Sequence, residues 1–462
     1  MRMKVCIQGL GFVGAATAVA IGMAEDIEGN PLYDVVGVDL PTKSGMERID
    51  AINHGTFPLR TSDSKLIEAL EDLHRQGNLS ATSDESIYAD ADIIVVDIHL
   101  DIAYLDDEPQ LQFESFKDAI RTIGKYVREG TLIIIETTVP PGTCEKIVVP
   151  TLTSELITRN MDKDKVLVAH SYERVMPGED YLDSIINYWR VFAGHTKEAG
   201  DACEKFLSSI ININSYPLTR LSSTTASETA KIMENTYRAA NIAFIDEWTK
   251  YAEAVGIDLF EVIDAIRIRP THSNIRFPGL GVGGYCLTKD PTFADAATKQ
   301  LFNIDSLKFP FSRMAVRVNH DMPLHTISRL NELLGDSLKN KRILICGVSY
   351  RQNVGDTRYS PTEILIKKLQ NLGTEIVAHD PYVTYWEELG WHLHDTLPDP
   401  AEFNGIILCV PHKDYKKLDY LSWLNGTNTI LLDANNVLSK HQREAIRSMG
   451  VCVESIGRGD GL

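Results

Sequence analysis

Apolar runs of five to seven residues alternate with segments of helical periodicity at both ends of the chain. In the first part the runs are Lys4–Gly9, Tyr33–Asp39, Asp92–Val96, Thr131–Glu136, Lys165–Ala169 and Trp189–Ala193. Strands alternating with helices predict a mainly parallel sheet covered on both faces. The same alternation restarts at Arg342–Gly347 and continues through Glu375–Asp380, Gly405–Val410, Thr429–Asp433 and Val451–Ile456. Between the two lies a different pattern. From Ser222 no proline or glycine interrupts a helical repeat until Gly256, which predicts one helix of roughly 30 residues, about 45–50 Å long. Ser222, Ser223 and Thr224 offer N-caps, Gly256 is a natural stop, and a second helix is expected from about Leu259 to Ile268. So long a helix is expected to bridge domains and line a subunit interface. The fold class read from this pattern is α/β, with two Rossmann-like doubly wound domains joined by a long central helix. The expected divisions are 1–215, 216–325 and 326–462.

A length of 462 residues suits two or three domains, and 44% hydrophobic with 24% charged residues is ordinary for a globular protein. A net charge of −18 disfavours nucleic acid or an anionic membrane as partner. A small phosphorylated ligand remains compatible with it, given local cations and helix N-termini. No apolar run approaches the roughly 20 residues that span a bilayer, and the N-terminus enters a strand with no signal-peptide pattern. Seven scattered cysteines without a Cys-x-x-Cys argue against a disulfide framework or a zinc site. A cytoplasmic protein without metal is the expectation.

The turn Gly9-Leu-Gly11-Phe12-Val13-Gly14 follows the first strand and opens a helix. The first glycine permits the turn, the second admits the pyrophosphate, and the third lets helix pack on strand. Asp39 ends the second strand about 25 positions later, where a carboxylate accepts from a ribose 2′-hydroxyl and repels a 2′-phosphate. NAD is therefore the expected cofactor, at Gly9, Gly11, Phe12, Val13, Gly14 and Asp39. Lys43 and Arg48 follow, and Arg48 is a further cofactor candidate. Cys286 lies within Pro278–Pro291, directly after a run of glycines and before Lys289 and Asp290. Backbone can approach a ligand there, and a cation and a carboxylate stand ready to tune a thiol. Local sequence alone leaves open a buried, inert cysteine beside a glycine turn.

The glycine turn, the long helix, Gly-Gly-Tyr-Cys-Leu-Thr-Lys-Asp and a second α/β domain occur in one order along the whole chain. That order resembles the UDP-glucose/GDP-mannose dehydrogenase family of nucleotide-sugar 6-dehydrogenases. The resemblance implies a four-electron oxidation of a primary alcohol to a carboxylate with two NAD. It implies Cys286 as the nucleophile that captures the aldehyde, with Asp290 assisting hydrolysis and Lys289 in an ion pair. Lys231 and Asn235, four apart on one helix face, match the family's oxyanion donors. Thr138, in Glu136–Gly142, matches a threonine that orders water beside the nicotinamide. Glu173 and Arg174, in Ser171–Gly178, match a substrate loop whose glutamate is a general base or a positioning group. Gly347–Arg351 and Asp356–Pro361 resemble the family's nucleotide-binding segments. They imply Arg351 at the diphosphate, Tyr350 among the substrate-binding residues, and Arg358 at the cofactor or bridging subunits. Gly283 and Arg276 complete the substrate set, and a homodimer or higher homo-oligomer is implied.

The resemblance has gaps. The family's proline-threonine-proline loop is replaced by Val96-Asp97-Ile-His99-Leu100, and the stretch from Asp39 to Arg48 is longer than usual. Residues Arg267–Arg276, where the family donates groups across the dimer to the sugar, match neither the glucose nor the N-acetylhexosamine type closely. The central helix and the Glu173–Arg174 loop look like enzymes of UDP-N-acetylhexosamines, whereas Cys-Leu-Thr-Lys-Asp looks like the UDP-glucose type. The first is favoured. A two-electron NAD dehydrogenase of the hydroxyacid kind and a catalytically silent nucleotide-sugar sensor are the alternatives.

Overall fold

The computed structural model describes residues 2–105, 108–335 and 337–459. Two compact units divide the chain: Met1–Met233 with Thr292–Lys308, and Glu234–Pro291 with Phe309–Leu462. In the first unit the strands are β1 (Met3–Gln8), β2 (Tyr33–Val38), β3 (Leu79–Thr82), β4 (Ile93–Val96), β5 (Asp101–Leu105), β6 (Glu108–Gln112), β7 (Leu132–Ile135), β8 (Leu167–His170), β9 (Val191–Gly194) and β10 (Thr219–Arg220). Eight of them form one sheet in the order β10-β9-β8-β7-β4-β1-β2-β3, parallel except where β8 meets β9. Every residue of β4 and β7 is buried, as expected of central strands with helices on both faces. The order reverses at β1 and β4, which opens a crevice beyond their carboxyl ends, where doubly wound sheets take ligands. β5 and β6 pair antiparallel as a separate ribbon after the Asp97–Leu100 loop.

In the second unit a fully parallel sheet runs β12-β11-β15-β16-β17. These strands are β11 (Arg342–Cys346), β12 (Glu375–His379), β15 (Gly405–Leu408), β16 (Ile430–Asp433) and β17 (Val453–Ser455), with a small antiparallel pair β13 (Tyr385–Trp386) and β14 (Trp391–His392). Its reversal lies between β11 and β15, so the segment leaving β11 at Gly347 borders the corresponding crevice.

The long helix is Thr224–Val255, 32 residues. Ser223 Oγ accepts from Ala226 N at 3.1 Å and caps it, and Gly256 ends it at φ +78°. The boundary between the compact units falls inside this helix, between Met233 and Glu234. The following helix is Leu259–Arg267, capped by Asp258. Helix Pro310–Leu333 carries Pro323 in its interior, and β3 and β10 were not expected from the sequence. β3 buries only alternate residues and β10 is two exposed residues, so neither makes an apolar run. Among the described residues no helix is long and apolar enough to cross a membrane.

Candidate active site

The glycine turn has the geometry a dinucleotide needs. Gly9 adopts φ +96°, and a Cβ there would lie 2.4 Å from the Asp97 carbonyl oxygen. A Cβ on Gly14 would lie 1.9 Å from the Gly9 carbonyl oxygen, so neither glycine tolerates a side chain. Gly11 faces open space, with nothing within 4 Å of its would-be Cβ. That opening is where a pyrophosphate can approach backbone. Helix Phe12–Gly22 begins at Gly11 without a side-chain cap, and the N-terminus of a helix favours an anion. Asp39 ends β2 with its carboxylate fixed by Leu10 N at 3.2 Å, Leu40 N at 2.8 Å and the guanidinium of Arg48 at 2.8 and 3.2 Å. Arg48 thus forks onto Asp39. These residues fit NAD.

The ends of β7 and β8 carry the remaining groups of the first unit. Thr137 Oγ1 bonds Val96 O and Ile98 O at 3.0 and 2.9 Å and pins the β4 loop. The adjacent Thr138 is half-buried. Glu173 is 8% exposed. Lys231 Nζ donates to its carbonyl at 2.7 Å and meets its Oε1 at 3.4 Å, while lying 5.3 Å over the Tyr172 ring. Arg174 turns onto Tyr172 and the Trp189 carbonyl. Burial and, after it, the Lys231 charge push His170 down to about 3, so it is neutral. Its Nδ1 bonds Ser227 Oγ at 2.8 Å.

Glu228 was missed from sequence and has a clear part. Fully buried, it accepts from Gly142 N at 2.6 Å and Cys144 N at 2.7 Å, clasping the Thr138–Gly142 turn to the long helix. Burial pushes its carboxyl up to about 7. With Lys231 three positions on, Glu228 reads in sequence as an exposed helix pair. Its real partners are more than eighty residues away.

In the second unit Cys286 is half-buried, in contrast to Cys6, Cys144, Cys203, Cys346 and Cys409, which are buried. Its carbonyl accepts from Lys289 N at 3.2 Å and Asp290 N at 2.9 Å, so the chain turns and brings both residues back beside it. Asp290 has no exposure and accepts from Asn235 Nδ2 at 2.8 Å and Lys289 Nζ at 2.9 Å. Lys289 also sits 4.0 Å over the Tyr285 ring. The glycine run is required by close packing: a Cβ on Gly283 would lie 2.6 Å from Tyr350 Cβ and 2.8 Å from Tyr359 O. Gly284 N donates to Arg358 O at 3.2 Å. Arg358 is held by Asp356 at 2.7–3.2 Å. Arg358 and Tyr350 both lie near Cys286. Tyr350 is pushed up to about 12, chiefly by burial, so it remains a phenol. Arg351 is exposed. Arg276 is pushed down by partial burial and by Arg238 and Arg267, a like-charge cluster in an acidic chain.

Three domain descriptions of one family match nearly the whole chain: the NAD binding domain over residues 3–211, the central domain over 225–321 and the UDP binding domain over 344–440. A UDP-N-acetyl-D-mannosamine dehydrogenase of Methanocaldococcus jannaschii is 30% identical over 462 residues, covering 99% of this chain and 97% of the relative. An NDP-N-acetyl-D-galactosaminuronic acid dehydrogenase of Ralstonia nicotianae is 27% identical, covering 90% of this chain and 92% of the relative. The solved UDP-D-ManNAc dehydrogenase of Pyrococcus horikoshii superposes with a TM-score of 0.83 at 27% identity, covering 99% of this chain and 100% of that one. With its glycine turn, its half-buried Cys286 and these matches along its length, the chain belongs to the UDP-glucose/GDP-mannose dehydrogenase family and is an NAD-dependent nucleotide-sugar dehydrogenase.

Proposed function

We propose that the protein oxidises the C6 primary alcohol of a UDP-N-acetylhexosamine to a uronic acid through a thioester on Cys286. The observation that carries the mechanism is the turn in which the Cys286 carbonyl binds Asp290 N while Asp290 holds Asn235. The sugar is drawn from the relatives in mannosamine and galactosamine chemistry. NAD, when bound, accepts a hydride from C6 in each of two oxidation steps. Loss of the first hydride and the hydroxyl proton leaves an aldehyde. The Cys286 thiolate adds to it, giving a thiohemiacetal, and loss of a second hydride from this adduct leaves a thioester. Water cleaves the C–S bond, releasing carboxylate and thiol. One alcohol and one water thus yield one carboxylate, two NADH and three protons.

Lys231 and Asn235, one turn apart on the helix, donate to the oxygen that gains negative charge, a contribution of about 3 kcal/mol for each well-aimed donor. Glu173, tethered to Lys231, takes or returns the alcohol proton. Thr138 positions water, and Asp290 relays the proton in hydrolysis. Tyr350, Arg351, Arg174 and Gly283 receive the nucleotide sugar, and Arg358 holds charge near Cys286 and the cofactor. A second copy of the chain covers the aromatic row Tyr237, Phe244, Trp248 and Tyr251, all exposed on the long helix, and Arg276 serves the partner's sugar. A reduced Cys286 suits a cytoplasmic enzyme.

The test is a panel of UDP- and GDP-sugars, scored for NADH per sugar. Two NADH with UDP-N-acetylmannosamine or its galactosamine counterpart is the expected result. Two with UDP-glucose alone moves the substrate, one NADH per sugar removes the thioester, and binding without NADH marks a sensor. Asp39→Asn keeps the shape of the ribose-side carboxylate without its charge. It is expected to raise KM for NAD about tenfold and to narrow the preference over NADP, as read from initial rates with each cofactor.

A further inference from the structure

Beneath the glycine turn, charged side chains from separate strand ends meet away from solvent. Asp97 follows β4, Glu136 follows β7, and Arg190 precedes β9. Asp97 backs the turn directly: a Cβ on Gly14 would lie 3.2 Å from the Asp97 Cβ. Glu136 is 4% exposed, accepts from Thr17 Oγ1 at 3.1 Å and pairs with Arg190, itself 5% exposed. Asp97 Oδ2 is buried and meets no hydrogen-bond partner among the described residues, and the register that pairs Val96 with Ile135 sets Asp97 and Glu136 side by side just beyond the strand ends. Two ionised carboxylates in contact in a dry site repel strongly, and one proton on the pair removes the conflict. The two carboxyls differ in their partners. Glu136 has the arginine and the threonine, whereas Asp97 faces Glu136 and, farther off, Glu173, with Arg190 the cation in reach.

We propose that Asp97 is a neutral acid donating its proton to Glu136, and that this shared proton is a positioning device tying β4, β7 and the glycine turn together for the dinucleotide. The inference rests on the reading that this turn takes NAD. Burial, then the charges of Glu136 and Glu173, hold the Asp97 carboxyl well above the usual range despite Arg190. The native state therefore keeps a proton that the unfolded chain gives up near pH 4. Stability drawn from this group is complete below that pH and falls as the pH rises toward the native value.

Three variants of the full chain test the proposal. Infrared difference spectra of wild type minus Asp97→Asn at pH 7 should show the C=O stretch of a protonated carboxylic acid, and its absence overturns the proposal. In Glu136→Gln, Asp97 should ionise against Arg190 and the band should vanish; a band that persists overturns the pairing. The melting temperature of Asp97→Asn should gain on wild type by about 2–4 °C between pH 5 and 8, and a constant difference counts against the proton. In NAD titrations, Asp97→Asn should stay within about threefold of wild type while Asp97→Leu weakens binding about tenfold or more. Equal binding by Asp97→Leu overturns the positioning role. A wild type that binds no NAD would sink the cofactor reading alone, leaving the infrared result to judge the proton.

Discussion

Cys286→Ser is expected to lower the steady-state rate of uronic acid formation about 10³-fold or more, and to cut NADH per sugar from two to at most one. Serine preserves the size of the side chain and the turn that Lys289 N and Asp290 N close on the Cys286 carbonyl. What it loses is the proposed nucleophile. A serine hydroxyl is scarcely ionised at neutral pH and is a far weaker nucleophile than a thiolate. The aldehyde then has no covalent partner, and the second hydride transfer has no adduct to act on. Rapid-mixing measurement of NADH absorbance, with the sugar products quantified, reads both numbers. Full steady-state activity in this variant would remove the thioester from the mechanism.

Asp290→Asn should stall the reaction later. Asp290 has no exposure and accepts from two donors, Asn235 Nδ2 and Lys289 Nζ. An asparagine there must point its NH₂ at one of them, which costs about 1–3 kcal/mol of stability and lets Asn235 swing. It also removes the carboxylate proposed to pass a proton during hydrolysis. The expected result is a burst of about two NADH per active site followed by turnover about 10²-fold slower than wild type. Cys286→Ser gives no such burst, so the two variants separate capture of the aldehyde from release of the acid. A single fast phase with normal turnover would relieve Asp290 of any part in hydrolysis.

Much of this architecture was legible in the chain because the relevant information is local. Gly9, Gly11 and Gly14 sit between a strand and a helix within a dozen residues. The helix Thr224–Val255 announces itself by an uninterrupted pattern between Ser223 and Gly256. The lysine-asparagine pair and the Cys286 turn are likewise contiguous motifs. The parts that escaped are assembled from remote positions. Glu228 is understood only beside Gly142 and Cys144, and Glu136 only beside Thr17 and Arg190. The fork of Arg48 on Asp39 likewise joins a helix to a strand end. The helix at Pro310–Leu333 was hidden by Pro323, and β10 by having two exposed residues. Buried charge must find its partners in space, and it leaves no periodic trace in sequence.

The most direct test of the central claim is peptide mass mapping of Asp290→Asn, acid-quenched during turnover with a UDP-N-acetylhexosamine and NAD. The account predicts one adduct with the mass of the nucleotide-sugar uronyl group, carried as a thioester on Cys286 and released by hydroxylamine. Two NADH formed per sugar with Cys286 unmodified, or the adduct found on another residue, would contradict it.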